Sequence, residues 1–141
     1  QQLAPPAVLY EEPENAFVAQ FIGENNKLPA EVVAVDGDVV TAKFADGQTC
    51  TAKAVANGGV GDKTMLSIRP ERVTINAANN ATDAQVLEMI YHGDHIRCRM
   101  RVHGDDEFIV KVPNGAGQIG LTMGETIRVG WDTTDCRALD A

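Results

Sequence analysis

The chain has 141 residues, 20 Asp and Glu against 12 Lys and Arg, and a formal net charge of −8. That length suits one domain or a pair of small modules, and is too short for a nucleotide-hydrolysing domain plus an accessory one. Hydrophobic residues at 44% and charged residues at 23% describe a folded globular chain, and the acidic balance argues against generic nucleic-acid or anionic-membrane binding.

Residues 1–13 carry Pro5, Pro6 and Pro13 and read as an extended lead-in, without the basic-then-apolar layout of a signal peptide. From Pro13 to Gly23 the pattern becomes helical. Pro13 suits a first-turn position, Glu12 and Glu14 favour the positive helix start, and Gly23 ends it. Phe17, Phe21 and Ile22 make this predicted helix apolar over much of its girth, so it needs a surface to dock against.

The remainder reads as β, in four short alternating stretches. Val40, Ala42 and Phe44 share one face. After Asp46-Gly47, Cys50, Ala52 and Ala54 repeat the device. Ile96, Cys98, Met100 and Val102 lie opposite Arg97, Arg99 and Arg101, and after Gly104-Asp105-Asp106 come Phe108, Val110 and Val112. Period-two alternation around Gly- and Asp-containing turns is the signature of antiparallel hairpins. A faint internal repeat matches Gly61-Asp62 and Leu66-Ser67-Ile68-Arg69 to Gly124-Glu125 and Val129-Gly130-Trp131-Asp132 at constant offset. Charge divides evenly, with 9 acids and 5 bases in residues 1–70 and 11 acids and 7 bases in residues 71–141. The expected fold is therefore mainly β: two short-strand modules, about 27–78 and 79–141, forming small OB-like barrels after an N-terminal connector (residues 1–26).

Motifs that suggest chemistry fare poorly. Asn57-Gly58-Gly59-Val60-Gly61-Asp62-Lys63-Thr64 ends like a phosphate-binding loop, but Asn57 and Asp62 stand where that loop needs glycine. A strand pattern follows it, not a helix. His92, His95 and Cys98 are spaced for a metal only if Gly93-Asp94 bends the chain, and no fourth ligand is evident. Arg97, Arg99, Arg101 and His103 form a basic stripe that an OB-type nucleic-acid binder could use, yet the aromatic residues needed for stacking fit core positions. Asn80-Ala81-Thr82 matches a glycosylation acceptor with no secretory signal beside it. Ser67, the only serine, lies within a strand pattern, and no catalytic constellation or metal set is read. Cys50, Cys98 and Cys136, odd in number and far apart, suit reduced thiols. Arg69-Pro70-Glu71-Arg72 interrupts a strand pattern, since Pro70 cannot donate to a ladder. The expectation is a structural corner with Glu71 pairing the flanking arginines, or else a subunit contact.

Three stretches carry a resemblance. Leu9-Tyr10-Glu11-Glu12-Pro13 with Ala16-Phe17-Val18-Ala19-Gln20-Phe21-Ile22-Gly23-Glu24-Asn25-Asn26 resembles the junction after the nucleotide-binding domain of ABC-importer ATPase subunits. Leu66-Ser67-Ile68-Arg69-Pro70-Glu71-Arg72-Val73 resembles a strand of their C-terminal TOBE (transport-associated OB) domain. Ile90-Tyr91-His92-Gly93, leading to Trp131-Asp132, resembles that domain's second half. The wording is most similar to importers of the spermidine/putrescine type. The resemblance implies a regulatory and dimerisation domain that is not itself an enzyme and holds no cofactor, with ATP and Mg in another domain of the parent. It implies a second ATP-binding subunit as partner and the permease subunits as indirect partners, at the cytoplasmic face of the membrane. Two further readings are an oxyanion-type sensor, because some TOBE-type barrels resemble molybdate-binding modules, and a nucleic-acid-binding OB module.

Overall fold

The structure is a computed structural model that describes residues 24–55, 59–114 and 120–140. The predicted connector helix, with Phe17, Phe21 and Ile22, lies outside the described residues. Those described are mainly β and form a closed OB-like barrel beside a five-stranded sheet.

The chain runs β1 (Asn26–Asp36), β2 (Val39–Lys43), β3 (Thr49–Ala54), β4 (Lys63–Ile68), a 3-10 turn (Pro70–Arg72) and β5 (Thr74–Ile75). It continues as β6 (Thr82–Tyr91), β7 (His95–Val102), β8 (Asp105–Pro113), β9 (Thr126–Gly130), a second 3-10 turn (Thr133–Asp135) and β10 (Cys136–Asp140). The four alternating stretches underlie β2, β3, β7 and β8, with their apolar faces inward. β1 alternates too, burying Leu28, Ala30 and Val32, but Pro29 and a polar first residue disguise it. Pro29 is tolerated because β1 pairs there only with β4, and β2 joins from Glu31 onward. The long strand is thus shared between two neighbours, which is how the sheet turns the corner and closes.

The faint repeat is a real structural one. A bulge after Val32 in β1 is clamped by Val32 N–H to Asp62 O (2.9 Å) and Gly61 N–H to Val32 O (2.7 Å). The bulge after Val86 in β6 is clamped the same way, by Val86 N–H to Glu125 O (2.9 Å) and Gly124 N–H to Val86 O (2.8 Å). Gly61 and Gly124 both sit at positive φ, +96° and +84°, where a side chain would be strained.

The expected division near residue 78 does not hold for the sheets, because the halves exchange strands. β10 leaves the second half and enters the barrel, antiparallel to β4 and parallel to β3. β5 leaves the first half and pairs with β9. The two exchanges share one register: Arg137 faces Ser67 and Ala138 faces Leu66, as Thr74 faces Gly130 and Ile75 faces Val129. The sequence pattern from Met65 to Ile75 reads as one strand, but Pro70 removes a ladder donor and the 3-10 turn there redirects the chain to the other sheet. One hydrophobic cluster spans both halves, with Leu66 and Ile68 in the barrel, Phe108 in the sheet and Trp131 just after β9. The last two rings lie 5.8 Å apart.

Two asparagines, Asn26 buried and Asn80 partly so, tie the halves together. Asn26 accepts from Ile109 N–H (2.7 Å) and donates to Ile109 O (2.8 Å). Asn80 does the same to Thr51, at 2.9 and 3.2 Å, and also donates to Trp131 O. Each side chain replaces a missing ladder partner for one residue of a neighbouring strand.

Candidate functional site

The two 3-10 turns meet at the junction of the halves and enclose an open cavity of about 370 Å³ lined by Asn25, Ser67, Arg69, Arg72, Thr134, Asp135 and Arg137. Ser67 and Arg137 stand opposite one another across the β4–β10 ladder, so the strand exchange is what brings them to one place. Pro70 is buried and begins the first turn, which presents Arg69 and Arg72 on either side. Arg72 Nη1 reaches Asp135 Oδ1 of the second turn at 3.9 Å. Glu71 does not pair with either flanking arginine among the described residues, so the expected local salt bridge is replaced by this contact between turns. Arg69 and Arg137 have no ion pair among the described residues. Ser67 Oγ lies 3.3 Å from Asn25 Oδ1, while Asn25 Nδ2 is buried without a hydrogen-bond partner. Among the described residues the cavity thus gathers cationic and N–H donors around one carboxylate.

The basic stripe behaves differently. Arg97 is bonded to Glu24, which Lys111 also approaches at 3.6 Å. The Arg97 hydrogen bond, opposed by partial burial, holds the Glu24 carboxyl below its ordinary value and raises Arg97. Arg99 Nε reaches Glu88 at 3.4 Å and its Nη1 donates to Asp106 O at 2.9 Å. Arg101 donates to Asp106 Oδ1 (2.6 Å) and Gln85 Oε1 (2.8 Å), and its guanidinium lowers the Asp106 pKa. The stripe is matched by the chain's own acids, which leaves little field for a phosphate backbone. His103 is not part of it. It takes φ +50° in the β7–β8 turn, stacks on Phe44 with ring centroids 3.6 Å apart, and bonds Asp46 Oδ2 through Nδ1 at 2.8 Å. Burial pushes the Asp46 pKa up, but hydrogen bonds from His103 and Gln48 N–H outweigh it and the net shift is downward.

The remaining motifs take ordinary roles. Gly59 N–H donates to Asp62 Oδ2 at 2.8 Å, so the carboxylate holds an amide that a phosphate would need, and β4 follows instead of a helix. Gly93-Asp94 does bend the chain, stacking His92 on His95 at 4.7 Å. Cys98 stays in the core, where burial raises its thiol to about 11. Among the described residues no group of three His, Cys, Asp or Glu side chains is arranged for a metal, and no helix is long and apolar enough to cross a membrane. Cys50 and Cys136 lie side by side in the barrel wall. Interaction with the Cys50 thiol, together with burial, raises the Cys136 pKa strongly. Asn25, Asn26, Asn80 and Arg137 carry no linear signal beyond a polar residue in or beside a strand.

A closed barrel and a related open sheet, exchanging strands around a polar cavity, define a two-unit β domain of the OB-like kind. A solved structure of the cytoplasmic molybdate-binding protein ModG, in a molybdate-bound form, shares this fold: TM-score 0.72 at 14% identity, covering 82% of this chain and 96% of that one. The family described as the TOBE domain matches residues 66–139, and the chain belongs to it. Among curated relatives, the spermidine/putrescine import ATP-binding protein PotA of Roseobacter denitrificans is 38% identical over 126 residues, or 87% of this chain and 34% of the relative. That of Rubrobacter xylanophilus is 35% identical over 99% of this chain and 38% of the relative. The Fe(3+) ions import ATP-binding protein FbpC 1 of Rhizobium meliloti is 29% identical over 77% of this chain and 30% of the relative. The chain spans about a third of the length of these relatives.

Proposed function

We propose that the chain serves as the C-terminal accessory domain of the ATP-binding subunit of an import transporter for polyamines of the spermidine/putrescine class. The carrying observation is the 38% identity, spread over 87% of the chain, to an import ATP-binding protein with that substrate. In this reading ATP and Mg belong to a nucleotide-binding domain outside these residues. The barrel surfaces help to hold two ATP-binding subunits together and receive regulatory input. The assembly sits on the cytoplasmic face of the membrane, and this domain reaches the permease subunits only through the ATPase. Arg69, Pro70, Glu71 and Arg72 are candidates for the subunit contact, and Phe17, Phe21 and Ile22 for docking of the connector.

The test uses the full reading frame that encodes this chain, expressed with its neighbouring permease and binding-protein frames in a host unable to take up polyamines. Labelled spermidine uptake is expected, and deleting residues 24–140 should lower it while ATP binding persists. Uptake of iron or sulfate instead would replace the substrate class. A reading frame without phosphate-loop and signature motifs would overturn the transporter assignment. Sedimentation of this chain as a strict monomer at high concentration would remove autonomous dimerisation.

A further inference from the structure

The internal repeat supplies a control for what the fold itself needs at the cavity. Ser67, Arg69, Arg72 and Arg137 have as counterparts Gly130, Asp132, Asp135 and Thr74, placed by the matched registers and 3-10 turns. The same backbone is therefore built with no arginine at any counterpart position. The fold does not explain why three guanidiniums gather at this one cavity, in a chain of net charge −8. Nor are they neutralised as the arginines of β7 are. Among the described residues the cavity holds one carboxylate, Asp135, already shared with Arg72 at 3.9 Å.

A second observation is independent of charge. Asn25 Oδ1 faces the Ser67 hydroxyl, so the amide is oriented, and its Nδ2 is left buried with no acceptor. A buried donor without a partner is unfavourable unless something at the site supplies an oxygen. Three planar guanidiniums suit a tetrahedral dianion with several terminal oxygens better than a single carboxylate. The cavity, at about 370 Å³, reaches the size range of small-molecule sites, and the described side chains that line it are all polar.

We propose that this cavity, inside one chain and between its own two 3-10 turns, binds a small phosphoryl compound. Its oxygens accept from Arg69, Arg72, Arg137 and Asn25 Nδ2, and inorganic phosphate is its minimal form. The remaining volume takes a polar attached group such as a sugar. Asp135 opposes binding, because it competes with the ligand for Arg72. The inference does not depend on the transporter reading, and the two fail separately.

The experiment is a titration of the 141-residue chain at low salt, followed by two-dimensional amide NMR, with inorganic phosphate and glucose 6-phosphate as probes and glucose and sodium chloride as controls. Saturable shifts confined to Asn25, residues 67–72 and residues 133–137 are expected. Tighter binding of glucose 6-phosphate assigns the site to organic phosphates, and equal binding assigns it to the free ion. Arg69→Gln with Arg137→Gln should weaken binding by about tenfold or more, whereas Asp135→Asn should strengthen it. A merely structural Asp135 would not strengthen binding when replaced. Shifts that never saturate, that match those with sodium chloride, or that survive the double arginine replacement would overturn the proposal. So would weaker binding by Asp135→Asn.

Discussion

The barrel and the sheet are built to one plan, and they differ at one seam. In the barrel the exchanged strand β10 is five residues long and bridges β4 to β3, so no edge remains. In the sheet its counterpart β5 has two residues, pairs with β9 alone, and leaves β8 at an edge. The cause lies just after β5. Asn76 turns to φ +61°, and the following loop crosses the end of β9, placing Asn79 O against Gly130. The open side is still managed: the Asn26 side chain satisfies Ile109 on β8, as a neighbouring strand would. Closure therefore depends on the length of a borrowed strand, and a side chain can stand in where the strand falls short.

The largest test of that contrast is to remove the borrowed strand. Truncation after Asp135 should abolish the cooperative thermal transition seen by circular dichroism, whereas Thr74→Pro in β5 should cost about 1–3 kcal/mol. A truncated chain melting like its parent would show that β10 does not close the barrel in solution.

Next comes Gly130, which the loop after β5 crowds. A Cβ at Gly130 would lie 2.3 Å from Asn79 O and 2.8 Å from Ala77 Cβ. Gly130→Ala should therefore destabilise by about 1–3 kcal/mol or more. Its counterpart Ser67 carries a side chain already, and Ser67→Ala should cost under about 1 kcal/mol. Chemical denaturation of both variants checks the ordering.

The asparagine brackets give a smaller contrast. Asn26→Ala leaves the buried Ile109 N–H and C=O without partners and should cost about 1–3 kcal/mol. Asn80→Ala should cost less, because Thr51 is half-exposed and water can replace the amide. Equal losses would contradict the role of burial.

The smallest effect is with pH. Glu24 is held below its ordinary 4.5 by Arg97. Its contribution is complete above that value and is lost as pH falls through the lowered pKa, since the unfolded chain then binds the proton first. Glu24→Gln should flatten the acid limb of a stability-against-pH curve and leave neutral stability within about 0.5 kcal/mol, as befits a partly exposed pair.

Much of the fold was legible because alternation is a local property. β2, β3, β7 and β8 follow from apolar residues two apart, and Gly61 and Gly124 marked the repeat. β1 and β6 were obscured because bulges after Val32 and Val86 shift the alternating pattern partway along each strand. The stripe of Arg97, Arg99 and Arg101 was correctly placed on one face, but its carboxylate partners come from Glu24, β6 and the strand beyond the turn. Nothing in the linear order announces that pairing. The cavity was half legible: Arg69-Pro70-Glu71-Arg72 was recognised as a corner, whereas Arg137 and Asn25 belong to distant parts of the chain.

The amino-acid order by itself determined the mainly β class, the inward faces of four strands, the repeat and the family, because each rests on short-range pattern or on wording shared with relatives. Tertiary structure alone decided which strands close the barrel and which arginines, among the described residues, remain without carboxylates. Both depend on β5 and β10 changing sheets, an arrangement held by ladder bonds between residues far apart in the chain, and backbone ladders leave little mark on side-chain sequence.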